Sequence, residues 1–223
     1  MTIALPPRAD GTTRLILLRH GEPDEIVHGR CYGRLDPGLS HRGREQMRQA
    51  WLLLGNQCPS AIFSSPSRRA VESAALRSID APAAALDERL GEIDFGAFEG
   101  LTYDEISTHY PQQYQQWMTR PTDVVFPDGE SFATMSVRVR EGLEQIRRKH
   151  SGETVVAVSH GGVNRIALAH ALDLDPCRIF RLAQSYACVN VIDYAGGESV
   201  VLVMNATVQP LVRRSFSEGG CGC

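Results

Sequence analysis

Leu15-Ile16-Leu17-Leu18-Arg19-His20-Gly21-Glu22 is the stretch that decides the fold. Four consecutive large apolar residues show no alternation. Such a run reads as a strand buried on both faces, as in a parallel sheet covered on both sides. It ends on a guanidinium, an imidazole and a glycine. The pattern returns 140 positions later, where Val155-Val156-Ala157-Val158 leads into Ser159-His160-Gly161-Gly162. A lone histidine after a strand is usually a hydrogen-bonded structural residue. Two at equivalent places, each followed by glycine, predict something more. Open α/β sheets build their sites along the carboxyl edge of the strands, so the pair points to an enzyme.

The flanking segments alternate between helix and strand signals. Residues 21–39 form a long loop rich in Gly, Asp and His, and a loop of that length suggests a substrate-lining role. Ser40 can cap a helix whose Met47, Ala50, Trp51 and Leu54 share a stripe before Gly55. A short strand is expected at residues 61–63. Ser65-Pro66 then reads as the cap and first position of a helix running to about Ile79. Residues 86–100 look irregular, and 102–118 look like two short helices broken at Pro111. Ser131 caps a longer helix with Met135, Val139, Leu143 and Ile146 inside and Arg147, Arg148 and Lys149 at its end. A helix over Val163–Leu172 follows the second buried strand. Strands over 186–193 and 199–205 flank a Gly196-Gly197 turn. This order predicts a three-layer α/β/α sandwich with a mostly parallel central sheet. The expected divisions are a lead over 1–13, one domain over 14–208 with a helical cap at 101–130, and a tail over 209–223.

Composition narrows the function. The chain has 223 residues and a net charge of -3. Near balance argues against a nucleic-acid coat, but leaves room for one local basic pocket, so a small phosphorylated metabolite is the expected partner. Pro6, Pro7 and Asp10 break any signal-peptide pattern, and no apolar run reaches the length of a membrane span. A cytoplasmic chain with reduced thiols and no membrane partner is the expectation. Cys31, Cys58, Cys177, Cys188, Cys221 and Cys223 have no zinc-site spacing, and Cys221-Gly222-Cys223 is too short to make a metal site by itself.

Four blocks in order carry the chemistry: Arg19-His20-Gly21-Glu22, Ser65-Pro66-Ser67-Arg68-Arg69-Ala70, Leu90-Gly91-Glu92-Ile93-Asp94-Phe95-Gly96 and Ser159-His160-Gly161-Gly162. Over roughly residues 14–205 the chain resembles the histidine phosphatase superfamily, which includes phosphoglycerate mutases and many small phosphatases. The resemblance implies a phosphoglycerate mutase-like fold and a reaction without metal or other cofactor. It implies His20 as a nucleophile that becomes phosphohistidine and Arg19 and Arg69 as clamps on the phosphoryl group. His160 becomes the second imidazole of the phosphate pocket, and Glu92 the proton donor and later acceptor. The family spacing selects Arg69 over its neighbour Arg68, and Glu92 over Glu88, Asp94 and Glu99; for Asp94 and Glu99 a structural acceptor role is the ordinary reading. Substrate contacts are expected from Arg19, Gly21, Arg69, His160 and Gly161, joined by Tyr32 and Arg34.

These residue types suit phosphoryl transfer. The reaction needs an in-line nucleophile, donors on the equatorial oxygens and a proton for the leaving oxygen. A neutral imidazole is a competent nucleophile when an acceptor fixes its other nitrogen. Planar guanidinium forks match phosphate oxygens, and glycine at position 21 would let backbone approach closely. The helix opening at Ser65-Pro66 would add amide donors.

Water or a second hydroxyl could accept the phosphoryl group. Residues 101–130 hold Arg120 as their only Arg or Lys, and Ile26 stands where the family often has Asn. Both features favour hydrolysis over mutase transfer. A module that merely bound phosphate would not need both His20 and Glu92. Cys31-Tyr32-Gly33-Arg34-Leu35-Asp36 and Gly129-Glu130-Ser131 are similar to segments of α-ribazole phosphatases, which act late in cobalamin assembly. The aromatics of 101–126 would then either stack on a flat base or simply form the cap's own core. Pairing of edge strands near 186–205 would give a homodimer.

Overall fold

The computed structural model describes residues 2–208; Cys221, Cys223 and the expected tail lie outside them. Among the described residues six strands form one sheet: β1 (Thr13–Arg19), β2 (Ala61–Ser64), β3 (Ala84–Leu86), β4 (Thr154–Ser159), β5 (Val189–Ala195) and β6 (Glu198–Ala206). Their spatial order is β3-β2-β4-β1-β5-β6. The first four are mutually parallel where they pair, and β5 runs antiparallel to both of its neighbours, β1 and β6. β1 and β4 are therefore central, as their unbroken apolar runs require. Arg14, which opens the apolar run, is also buried. It meets Asp193 across the β1–β5 register through a bidentate pair at 2.7 and 2.8 Å.

Side-chain alternation splits the two central strands between two cores. Leu15, Leu17, Val155 and Ala157 pack with α5 (Phe132–Lys149) and α6 (Gly161–Ala171). Ile16, Leu18, Val156 and Val158 pack with α1 (His41–Leu53) and α2 (Arg68–Ala75). The expected three-layer α/β/α sandwich results. Each of the Leu, Ile and Val side chains among them contributes about 1.5–3 kcal/mol by leaving water. The cap is made of α3 (Tyr103–His109), opened by a Thr102–Glu105 capping box, and α4 (Pro111–Thr119), with proline at its first turn. Ser40 and Ser131 cap α1 and α5 by accepting from Gly43 and Thr134.

Several boundaries differ from the sequence reading. α2 begins at Arg68 because Ser65 still extends the sheet, its amide donating to the Val158 carbonyl at 3.0 Å. It ends at Ala75, where Arg77 turns back to donate to the carbonyls of Ala81 and Pro82, and Ile79 is exposed. α6 starts at Gly161, directly after His160. The short β3 was not expected. β5 has neighbours on both sides, so among the described residues β6 alone of the two late strands lies at the sheet edge. Among the described residues no helix is long and apolar enough to cross a membrane.

Candidate active site

The sheet register brings the two histidines together. Arg19 stands opposite Ser159, and the His20 amide donates to the Ser159 carbonyl at 2.9 Å. The next side chains are the imidazoles of His20 and His160, both buried, with ring centroids 5.1 Å apart. His20 Nδ1 lies 2.7 Å from the Gly21 carbonyl oxygen. A carbonyl only accepts, so Nδ1 carries the proton and Nε2 keeps its lone pair. Burial holds the His20 pKa well below the ordinary histidine value, and the Arg69 and Arg19 charges lower it further, against the Gly21 carbonyl. The ring is neutral.

Gly21 has a different task from the expected one. Its carbonyl is taken by His20, and its amide donates to Ser73 Oγ at 3.2 Å. A Cβ there would sit 2.3 Å from the Gly43 carbonyl oxygen, so the missing side chain admits α1 rather than a ligand.

His160 is also neutral. Burial depresses its pKa first, and Arg69, His20, Arg19 and Arg138 follow. Its Nε2 faces Ser65 Oγ at 2.8 Å and Ser67 Oγ at 3.2 Å. Ser67 occupies the N-cap position of α2, yet its hydroxyl makes no cap bond. The first amide of α2, on Arg68, donates to Asp36 Oδ1 at 2.6 Å instead. The helix end expected to hold an anion thus already holds a carboxylate. Ser65 and Ser67 belong to the site; the sequence offered them only as helix-start residues.

Arg69, not Arg68, points inward. Arg69 is fully buried, whereas Arg68 lies outside and pairs with Glu72. Arg69 donates to the carbonyls of Leu35 at 2.9 Å and Gly33 at 3.0 Å, closing the long loop over itself. Arg19 donates to the Gln184 carbonyl at 2.5 Å. Aromatic rings cover both guanidiniums. Arg19 stacks on Tyr186 at 4.2 Å and Arg69 approaches Tyr32 at 5.2 Å, while the two phenol oxygens meet at 2.6 Å. A tyrosine bridge therefore spans the centre from one arginine to the other. The Tyr186 ring also lies 5.7 Å from His20. Tyr32 was legible as a site residue; Tyr186 was missed, because nothing near it in sequence marks it. Among buried side-chain atoms, Arg19 Nε, Arg69 Nε and His160 Nδ1 have no hydrogen-bond partner among the described residues.

Glu92 reaches the N-terminus of α6. Its Oε2 accepts from the Gly162 amide at 3.2 Å and Oε1 from the Ile93 amide at 3.1 Å. A Cβ on Gly162 would come within 2.3 Å of Oε1, so glycine is needed for that approach. Gly161 is the first residue of α6, packed against Arg19 and Arg165. Glu99 is structural, its carboxylate accepting from the amides of Gly33, Arg34, Leu35 and Phe95. Arg34 turns outward, its exposed side chain pairing with Asp94 at 3.1 Å. The cap aromatics pack on one another, Phe98 against Tyr110 and Phe126, and Trp117 against Phe95 and Tyr103. Phe126 is buried and Tyr110, Tyr114 and Trp117 pack half-buried against the core, while Tyr103, stacked on Trp117, stays exposed. No cluster of potential metal ligands occurs among the described residues.

The fold and its strand-end imidazoles and guanidiniums define a phosphoryl-transfer protein of the class the sequence resembles. The model of the histidine phosphatase superfamily (branch 1) matches residues 15–207, and the chain belongs to that family. Phosphoserine phosphatase 1 of Hydrogenobacter thermophilus is 33% identical over 198 residues, covering 87% of this chain and 92% of that protein. The bifunctional protein Rv2228c of Mycobacterium tuberculosis is 37% identical over 204 residues; the match takes in 89% of this chain but 56% of that longer protein. The structure of the α-ribazole phosphatase from Shigella flexneri superposes with a TM-score of 0.80 at 25% identity, covering 86% of this chain and 96% of that one.

Proposed function

We propose that the chain is a phosphomonoesterase that hydrolyses a small phosphorylated metabolite through a phosphohistidine on His20. The observation that carries this reading is the fixed tautomer: a buried neutral imidazole with Nδ1–H on Gly21 and Nε2 left as nucleophile. Nε2 attacks phosphorus in line, the ester P–O bond breaks, and the Glu92 carboxyl gives its proton to the leaving oxygen. Water then attacks phosphorus and returns a proton to Glu92, the P–N bond breaks, and phosphate departs.

Three unpartnered buried N–H groups, on Arg19, Arg69 and His160, supply donors for the equatorial oxygens. His160 takes, in this reading, the tautomer in which Nε2 accepts from a serine hydroxyl, so that Nδ1 carries the proton and donates it. Because His160 is neutral, charge compensation falls to the two guanidiniums, in the manner of other electrostatic clamps. Tyr32 remains a protonated phenol, its pKa raised by burial and by Tyr186. Its partner Tyr186 lies with its ring 5.7 Å from His20.

Water is the acceptor in this reading. Arg120, the one Arg or Lys of the cap segment, lies with Gln112, Gln115, Gln116 and Thr119 around a polar recess of about 350 Å³, and none of the catalytic residues lines it. α-Ribazole 5′-phosphate stays among the candidate substrates on the likeness of residues 31–36, without support from base stacking on the cap. Phosphoserine joins it on the likeness to the Hydrogenobacter enzyme. The test is release of phosphate from p-nitrophenyl phosphate under excess chelator. A panel of phosphoserine, α-ribazole phosphate, 3-phosphoglycerate, sugar phosphates and nucleoside monophosphates follows. Turnover without metal supports the reading; no release from any member would refute it.

A further inference from the structure

We infer that Arg138, locked by Glu130, is a positioning residue for Glu92 and thereby sets proton delivery to the leaving oxygen. The inference rests on the general-acid role proposed above for Glu92.

Glu92 sits in a segment without regular structure, between short 3-10 turns at Glu88–Leu90 and Gly96–Phe98. No strand ladder or helix fixes its backbone. Arg138 does so from the middle of α5. Its Nη1 donates to the carbonyls of Arg89 at 2.9 Å and Gly91 at 2.8 Å. Nη2 donates to the carbonyl of Glu92 itself at 3.0 Å. The remaining two N–H groups go to Glu130, Nε to Oε1 and Nη2 to Oε2, both at 2.7 Å. A guanidinium has five N–H donors in a fixed plane, and here every one has a partner. Glu130 grips the far end of the same segment, its amide donating to the Asp94 carbonyl at 2.9 Å.

The arrangement has a chemical consequence. Arg138 is directed at the Glu92 carbonyl, not its carboxylate, and Glu130 compensates its charge. The carboxylate is left to the Gly162 and Ile93 amides and the reacting group. A lysine has one nitrogen and no planar fork, and it could not hold three carbonyls and a bidentate carboxylate at once. Group positions in an active site matter on the scale of an ångström, so a slack segment would place the acid badly while leaving the phosphate clamps in order.

The test compares two leaving groups. p-Nitrophenolate departs without a proton, whereas the alkoxide of glycerol 2-phosphate needs one. kcat/KM reports the phosphorylation half-reaction in which that proton is given. In Glu92→Gln the ratio of kcat/KM for p-nitrophenyl phosphate to that for glycerol 2-phosphate is expected to rise by about 100-fold. Arg138→Lys and Glu130→Gln should raise the same ratio by about tenfold, with the inhibition constant of inorganic phosphate changed less than about threefold. The double variant Arg138→Lys/Glu92→Gln should be no more selective than Glu92→Gln alone. Circular dichroism and thermal melting establish that each variant folds, and Glu130→Gln serves if Arg138→Lys does not. A ratio unchanged in the folded Arg138 or Glu130 variant, while Glu92→Gln raises it, would overturn the positioning role alone. So would multiplicative effects in the double variant. An unchanged ratio in Glu92→Gln would overturn the acid assignment and this inference with it.

Discussion

The Nδ1 atom of His20 lies 2.7 Å from the carbonyl oxygen of Gly21, its own neighbour in the chain. A local bond of this kind needs no distant residue to fix the tautomer. It follows from the end of β1, where the Gly21 carbonyl turns back beneath the imidazole. The reactive nitrogen is thereby set by backbone geometry, while burial and two nearby arginines keep the ring neutral.

The two neutral histidines predict how stability depends on acid. In the unfolded chain each protonates near its ordinary value of about 6.5. In the folded chain both values are pushed well below that. The unfolded state therefore binds the extra protons first, and stability falls as pH drops below about 6.5, by up to about 1.4 kcal/mol per pH unit for each histidine. Denaturant midpoints of the wild type and of His160→Gln between pH 7 and 5 check this. The wild type should lose more; equal slopes would contradict it.

The hydroxyl of Ser65 orients His160. In the proposed Nδ1–H tautomer the hydroxyl donates to Nε2 at 2.8 Å, and without it the proton is free to move from Nδ1. Ser65→Ala should weaken inhibition by inorganic phosphate about tenfold, a loss of about 1.4 kcal/mol. Ser67→Ala should do less, since its hydroxyl is 3.2 Å away. Inhibition constants measured on both variants decide it; the reverse order would count against the assignment.

Tyr186 has two separable contributions, the face under Arg19 and the hydroxyl on Tyr32. Tyr186→Phe keeps the first and loses the second, while Tyr186→Leu loses both. A cation–π contact is worth about 0.5–2 kcal/mol. The Leu variant should therefore raise KM about 3- to 30-fold, and the Phe variant clearly less. Steady-state kinetics on the best substrate provide the comparison, and identical KM values in the two variants would exclude the stacking role.

Gly162→Ala would press a methyl group to within 2.3 Å of a Glu92 oxygen. The carboxylate must move, and kcat/KM for an alkyl phosphate should drop by about tenfold or more. Wild-type rates in the folded Gly162→Ala protein would show that Glu92 tolerates displacement.

Much of this was legible in the chain. The unbroken apolar runs of β1 and β4 located the sheet centre, and the residues just after them are the two imidazoles. Ser40 and Ser131 declared their helices because a side-chain cap is a local event. The choice of Arg69 over Arg68 came from family spacing, and burial agrees with it. What escaped is long-range. Ser65 and Ser67 looked like helix-start residues because that is their common local use; here their hydroxyls face an imidazole brought in from β4. Tyr186 precedes a late strand and meets Tyr32 only once the sheet is assembled. Gly21 looked like a phosphate contact, but its bare Cα faces the Gly43 backbone. The cap aromatics could have gone either way from sequence; most of them pack toward the core, and Tyr103 alone of them is exposed.

The most direct measurement is to trap the intermediate. The protein is mixed with phosphorus-labelled substrate, quenched in alkali, and digested for mass spectrometry. The mechanism predicts an acid-labile, base-stable phosphoryl group on His20 that appears within one turnover and is lost on chase with unlabelled substrate. It predicts no label and no turnover in folded His20→Ala. Label on another residue, or turnover preserved in His20→Ala, would contradict it.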